Sequence, residues 1–448
     1  ESVDLIWFPT GGGKTEAYLA VAALTILWRR MSYTDYIGVS VIMRYTLRLL
    51  TAQQFERASK LITVLEYLRQ QFTSELKKDV ISIGLWIGGD STPNNLKSAI
   101  NGIKSIDKNG ESANQFQLDK CSWCGSKLIV DNKGIYSHAF HVRERKREFL
   151  IKCLNEDCHF HNKKGLPIQV VDEVLYIDPP TLLFATVDKF AMLSWVEDGH
   201  IFFNSLNKKG TLPPDLIIQD ELHLISGPLG TMVGLYESAV DFLTQKNIDG
   251  KSTGLKVIAS TATIKGAKDQ VRKIFNKSNT DSFPPPGIDR SDSFFWWETG
   301  KKGKMFVGLS FSQRSGKYAL GKLYAALLQK IHLIRQSENI KDDDVDPYWT
   351  LVGYYNSIRE LGGANRLVED DVVMNMRFLA DAIYGNKKDV RDPGTPENGI
   401  DELTGRKTQR EINEIRDKLE KSLPDKDVIS VLLATNMISV GIDIDRLA

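Results

Sequence analysis

The sequence predicts an α/β protein built on mostly parallel sheets, in two domains, with a cysteine-bearing insertion in the first. Three observations lead there. Short apolar runs alternate with stretches of helical periodicity, and a triple-glycine turn separates the first run from the first helical pattern. A later apolar run ends in two adjacent carboxylates.

"DLIWFP" (4–9) is an apolar run closed by proline, as expected of a buried parallel strand. "EAYLAVAALTILWRR" (16–30) then places apolar residues at helical spacing, with two arginines in its last turn. Between them lies "FPTGGGKT" (8–15). The strict phosphate-loop pattern asks for glycine where Phe8 stands, so it fails at its first position. The context still suits a phosphate. Backbone N–H groups of Gly11, Gly12, Gly13, Lys14 and Thr15 would converge at the positive end of the helix dipole. Lys14 would reach the β- and γ-phosphates and the Thr15 hydroxyl would ligate Mg²⁺. The bland alternative is a flexible turn with a chance lysine, and the rest of the chain has to decide.

Further strands are expected at 37–43, 80–87, 182–187, 215–219 and 255–259, alternating with helical patterns. "PDLIIQDELHLI" (214–225) ends a strand in Asp220, Glu221 and His223. Ligands bind at the C-terminal tips of parallel strands. Asp220 would hold Mg²⁺, and Glu221 would orient and deprotonate an attacking water. Alone such a tip is often a solvated loop; paired with a phosphate loop it supplies what the loop lacks.

Residues 104–176 interrupt the strand–helix rhythm. They hold all four cysteines, as Cys121-x2-Cys124 and Cys153-x4-Cys158. Four thiolates in two such pairs suit a closed tetrahedral Zn²⁺ site. His159 and His161 are alternative ligands, and four reduced structural cysteines are the bland reading. "FPPPGIDRSD" (283–292) begins a linker, dividing residues 1–300 from a second α/β domain, 301–448. There a helix is expected at 315–336 and strands at 350–355 and 428–434, with polar loops at 338–347 and 389–402.

Lys+Arg 58 against Asp+Glu 57 gives net +1, so any basic groove for nucleic acid must be local. No apolar run approaches membrane-spanning length, and four cysteines make no disulfide framework. The expected compartment is the cytoplasm, with no membrane partner.

In order, these segments resemble the superfamily 2 DExH-type helicases and translocases. "FPTGGGKT" is similar to motif I, "MRYTLRLLTAQQ" (43–54) to motif Ia and "FATVDKF" (184–190) to motif Ib. "DELH" (220–223) is similar to motif II and "STAT" (260–263) to motif III. "YYNS" (354–357) and "VLLATNMISVGIDI" (431–444) are similar to motifs IV and V. The resemblance implies two RecA-like domains with ATP clamped between them and nucleic acid bound mainly through phosphates. It implies nucleotide contacts from Thr10, Gly11, Gly12, Gly13, Lys14, Thr15, Glu16, Gly441 and Asp443. Strand contacts would come from Arg44, Arg48, Thr186 and Thr435, while His223 would couple motif II to other motifs. A narrower resemblance, in "QDELHLISGPLGTMVGLYE" (219–237), "FPPPGIDRSDSFF" (283–295) and "ELTGR" (402–406), is to the DrmA-type helicases of DISARM anti-phage systems. It implies an ATP-dependent DNA helicase in a bacterial defence complex, with a partner protein, DrmB. An RNA helicase, or a degenerate ATPase serving as a nucleic-acid-binding scaffold, are the alternatives. The expectation is also that the chain is a segment of a longer protein, its second domain incomplete before motif VI.

Overall fold

The computed structural model describes residues 2–7, 13–46, 48–89, 91–193, 195, 197–204, 210–248, 250–261, 266–277, 279–285, 287–289, 292–297, 305–312, 314–337, 340–382, 385, 390–393, 399–407, 409–435, 444 and 446–447. Packing divides it into two units, Glu1–Trp297 and Glu298–Ala448.

In the first unit eight strands form one parallel sheet. They are Ser2–Trp7 (β1), Val41–Tyr45 (β2), Ile83–Trp86 (β3), Ile168–Gln169 (β4), Leu182–Thr186 (β5), Leu216–Gln219 (β6), Lys256–Thr261 (β7) and Asn279–Phe283 (β8). Their order is β8-β1-β7-β6-β2-β5-β3-β4. Parallel neighbours need crossovers, and helices supply most of them. On one face pack Lys14–Ser32 (α1), Arg48–Gln71 (α2) and Leu96–Asn109 (α3). On the other pack Gly227–Leu243 (α4) and Ala267–Phe275 (α5). The inner strands serve both cores because their side chains alternate. Val41, Met43 and Tyr45 enter the first core, and Ile42 the second.

The expected strand at 37–43 is displaced to Val41–Tyr45. Gly38, at φ +99°, interrupts the extended run, and a Cβ there would lie 3.0 Å from the Leu212 carbonyl oxygen. The edge strand β8 went unpredicted because "NTDSF" is polar and largely open to solvent. The bounds expected for the insertion also shift. Position 104 lies inside α3, and Ile168–Gln169 already pairs with β3. Two antiparallel hairpins lie between, Ile129–Asn132 with Ile135–His138 and Phe140–Arg143 with Glu148–Ile151.

In the second unit Leu351–Tyr354 (β9), Ile400–Leu403 (β10) and Val431–Ala434 (β11) form a parallel sheet ordered β9-β11-β10. Gly316–Arg335 (α6), Ile358–Arg366 (α7) and Val373–Ala382 (α8) accompany it. Both expected loops are corrected here. Within 338–347, Asp342–Val345 is helical, and Asp342 accepts two hydrogen bonds from Arg335. Within 389–402, Arg391 is buried and β10 begins at Ile400. Polar sequence reads as loop until tertiary partners satisfy it. Among the described residues no helix is long and apolar enough to cross a membrane.

Candidate active site and metal centre

Gly13, at φ 74°, caps α1, and Lys14 opens the helix. Lys14 is 9% exposed, and its ammonium has no partner among the described residues. A buried ammonium with no hydrogen-bond acceptor is costly, so this position fits an anionic ligand such as a phosphate. Thr15 follows, half-buried. Glu16 is exposed and pairs with Arg57 at 3.3 Å. Thr10, Gly11 and Gly12 lie outside the described residues, as do Gly441 and Asp443.

One turn beyond Lys14, the Tyr18 hydroxyl donates to Asp220 Oδ2 at 2.8 Å and lies 3.2 Å from Thr15 Oγ1. Asp220 Oδ1 accepts from Ser260 Oγ at 2.6 Å and from the Glu221 N–H at 2.9 Å. Strands β6 and β7 are neighbours in register, Gln219 opposite Ala259, so the Asp220 tip and Ser260 meet. The structure thus gathers Lys14, Thr15, Asp220, Glu221 and His223 at one end of the sheet.

Glu221 has φ 48° and ψ 48°, a left-handed conformation that a side-chain-bearing residue adopts at a cost of about 1–2 kcal/mol. Burial pushes its carboxyl up to about 7, with Asp220 adding to the rise and Lys14 opposing it. Burial and then Lys14 lower the His223 imidazole below its ordinary value, with Asp220 opposing them. Its Nδ1 lies 3.4 Å from Glu221 Oε2. A carboxyl raised to about 7 beside a carboxylate held by three hydrogen bonds is the division expected of a general base and a metal ligand.

The expected nucleic-acid contacts fare differently. Arg44 is wholly buried, ion-paired with Glu237 of α4, and its guanidinium lies 5.1 Å from the Phe190 ring centre. This corrects its assignment to a phosphate contact: in β2, alternation sends it to the same face as Ile42. Thr186 and Thr435 are 1% and 6% exposed at strand ends, and the Thr186 hydroxyl is buried without a partner among the described residues. Arg48 starts α2, and its side chain lies outside the described residues.

Tyr18, Ser260 and Glu237 were not singled out from sequence. Tyr18 had a legible signal, since position i+4 from Lys14 shares its helix face.

The four cysteine sulfurs lie within 4.8 Å of one another. Cys124 and Cys153 are 3.5 Å apart, and Cys121 and Cys158 3.9 Å. Zn–S bonds of about 2.3 Å in a tetrahedron require sulfurs about 3.8 Å apart, so the donor set fits. Gly125, at φ +77°, turns the first knuckle, and its N–H donates to the Cys121 carbonyl at 2.9 Å. His161 Nδ1 contacts the Cys153 carbonyl at 2.7 Å and His159 Nε2 meets Gln70 at 2.9 Å, and the donor group that converges among the described residues is the four cysteines, without either histidine. Cys121, Cys153 and Cys158 share the first core with Phe55, Ala58 and Ile62 of α2. The cysteine segment is therefore packed into the first unit.

The fold is an α/β one with a large parallel sheet, carrying a four-cysteine cluster able to hold a metal. No protein-family model matches the chain. The chain is 38% identical over 489 aligned residues to DISARM protein DrmA of Bacillus paralicheniformis, covering 99% of this chain and 42% of that protein. It resembles DrmA along nearly all of its length while spanning less than half of that relative. Helicases are among the solved structures similar to it. Mycobacterium smegmatis Lhr bound to ssDNA and AMP-PNP matches at 15% identity and TM-score 0.45, over 100% of this chain and 39% of that one. DEAD-box helicase Mss116 bound to ssRNA and UDP-BeF matches at 13% and 0.48, over 100% and 60%. DUF1998 helicase MrfA bound to DNA matches at 13% and 0.42, over 99% and 41%.

Proposed function

We propose that this chain is the motor portion of an ATP-dependent DNA helicase or translocase acting in cytoplasmic anti-phage defence. The observation that carries the reading is the buried, unpartnered Lys14 ammonium beside the Asp220–Glu221 strand tip. The resemblance to a DISARM protein supports the biological setting, with DrmB as the suspected partner. Lys14 and the preceding glycines would bind the phosphates. Thr15 and Asp220 would hold Mg²⁺, which when bound supplies charge neutralisation on the phosphates. Glu221 would take a proton from the attacking water, its raised affinity for protons suiting it to that task near pH 7. Zinc in the cysteine site would be structural, since four thiolates leave no open position.

The test is ATP hydrolysis with single-stranded DNA, single-stranded RNA or neither, with Lys14→Ala alongside. DNA-stimulated hydrolysis lost in Lys14→Ala is the expected result. Stimulation by RNA alone would reassign the substrate, and ATP-independent DNA binding without hydrolysis would make the chain a scaffold.

A further inference from the structure

Hydrogen-bond accounting around Asp220 goes one step further than the roles above. Tyr18 is 1% exposed and carries one hydroxyl proton. That proton goes to Asp220 Oδ2 at 2.8 Å, where the tyrosine hydroxyl donates and the carboxylate oxygen accepts. The 3.2 Å contact between Tyr18 and Thr15 must then run the other way, with the Thr15 hydroxyl as donor. With its proton turned toward Tyr18, Thr15 Oγ1 directs its lone pairs elsewhere. On Asp220, Oδ1 already accepts from Ser260 and from the Glu221 N–H, which fills its two sites. Oδ2 accepts only from Tyr18 among the described residues, so it keeps one lone pair free.

We infer that Tyr18 is a positioning residue: its hydroxyl orders the Thr15 hydroxyl and the Asp220 carboxylate so that Oγ1 and Oδ2 present free lone pairs to one divalent cation. This deepens the nucleotide reading and rests on it. Tyr18 touches neither nucleotide nor water in this role; it sets the direction of two groups that would touch the cation. A phenylalanine keeps the ring in place and removes only the ordering.

The test is equilibrium binding of a fluorescent ATP analogue titrated with Mg²⁺, each variant normalised to its own Mg²⁺-free affinity. Losing a hydrogen bond to a charged ligand group costs about tenfold or more, so Tyr18→Phe should raise the Mg²⁺ half-saturation by about tenfold. A purely structural tyrosine would lower the melting temperature without moving that normalised value. Ser260→Ala leaves the Tyr18 side intact and keeps the test alive should Tyr18→Phe fold poorly. It removes a partner of the oxygen that faces away from the cation, and should shift the half-saturation by no more than about threefold. A Tyr18→Phe protein with the parent's Mg²⁺ response overturns the role of Tyr18 alone. A tenfold shift in Ser260→Ala overturns the assignment of Oδ2. A parent that binds no analogue, with or without Mg²⁺, overturns the nucleotide reading itself.

Discussion

Arg44 and Glu237 form an ion pair inside the first unit, linking the end of β2 to the middle of α4. Both are buried, and two guanidinium nitrogens of Arg44 have no hydrogen-bond partner among the described residues. Part of the offset for that burial comes from the Phe190 ring under the guanidinium.

Removing one partner of a buried pair strands the other charge. Arg44→Ala should therefore lower unfolding stability by about 3–5 kcal/mol, and Glu237→Ala similarly. Arg44→Met with Glu237→Leu should recover most of it, since apolar replacement removes both desolvation costs. Denaturant unfolding checks this. An Arg44→Ala protein of parental stability and weakened DNA binding would return Arg44 to the nucleic-acid surface.

Lys14→Ala and Glu221→Gln should fail differently. The first removes a charge-assisted phosphate contact, so ATP binding itself weakens. The second keeps the loop and Asp220 but loses the base, so hydrolysis falls by about 10²–10⁴-fold while ATP stays bound. Single-turnover hydrolysis alongside nucleotide binding separates them. Parental turnover by Glu221→Gln would remove Glu221 from the base role.

Glu221 works as a base only when ionised. With its carboxyl raised to about 7 by burial, the ionised fraction should climb from roughly a tenth at pH 6 to nine-tenths at pH 8. Hydrolysis at subsaturating ATP should rise across that interval. A flat profile from pH 6 to 8 would mean that the raised group is not the one that ionises in the rate-limiting step.

Purified protein should hold about one zinc per chain, as one four-thiolate site implies. Cys121→Ser with Cys153→Ser should release the metal and lower the melting temperature of the first unit, not merely fray its insertion. The reason is packing: three of the four cysteines lie in the core that α2 shares, and Ser122 meets Thr63 of α2 at 2.8 Å. Elemental analysis and thermal unfolding decide it. A zinc-free parent with unaltered melting would make these four ordinary thiols.

The local features needed only the sequence. Strand, glycine turn and helix around Lys14, the acidic tip at Asp220 and Glu221, and the two cysteine pairs are each contained within a few residues. Backbone preference and hydrophobic periodicity act over that same range. Their clustering in space was implied by order and by resemblance. Tertiary structure alone decided which way side chains face and who partners them. The expected strand stopped at residue 43 and left Arg44 free to meet nucleic acid; the strand runs on to Tyr45 and holds Arg44 on its buried side, because strand side chains alternate at every step. Asp346 sits in a segment that reads as polar loop, yet it is buried and accepts from Arg446 at 2.8 Å, a hundred positions away. Ser260 and Tyr18 reach Asp220 from 40 and 202 positions distant. Such contacts depend on crossover order and register in a parallel sheet, which no short window of sequence contains.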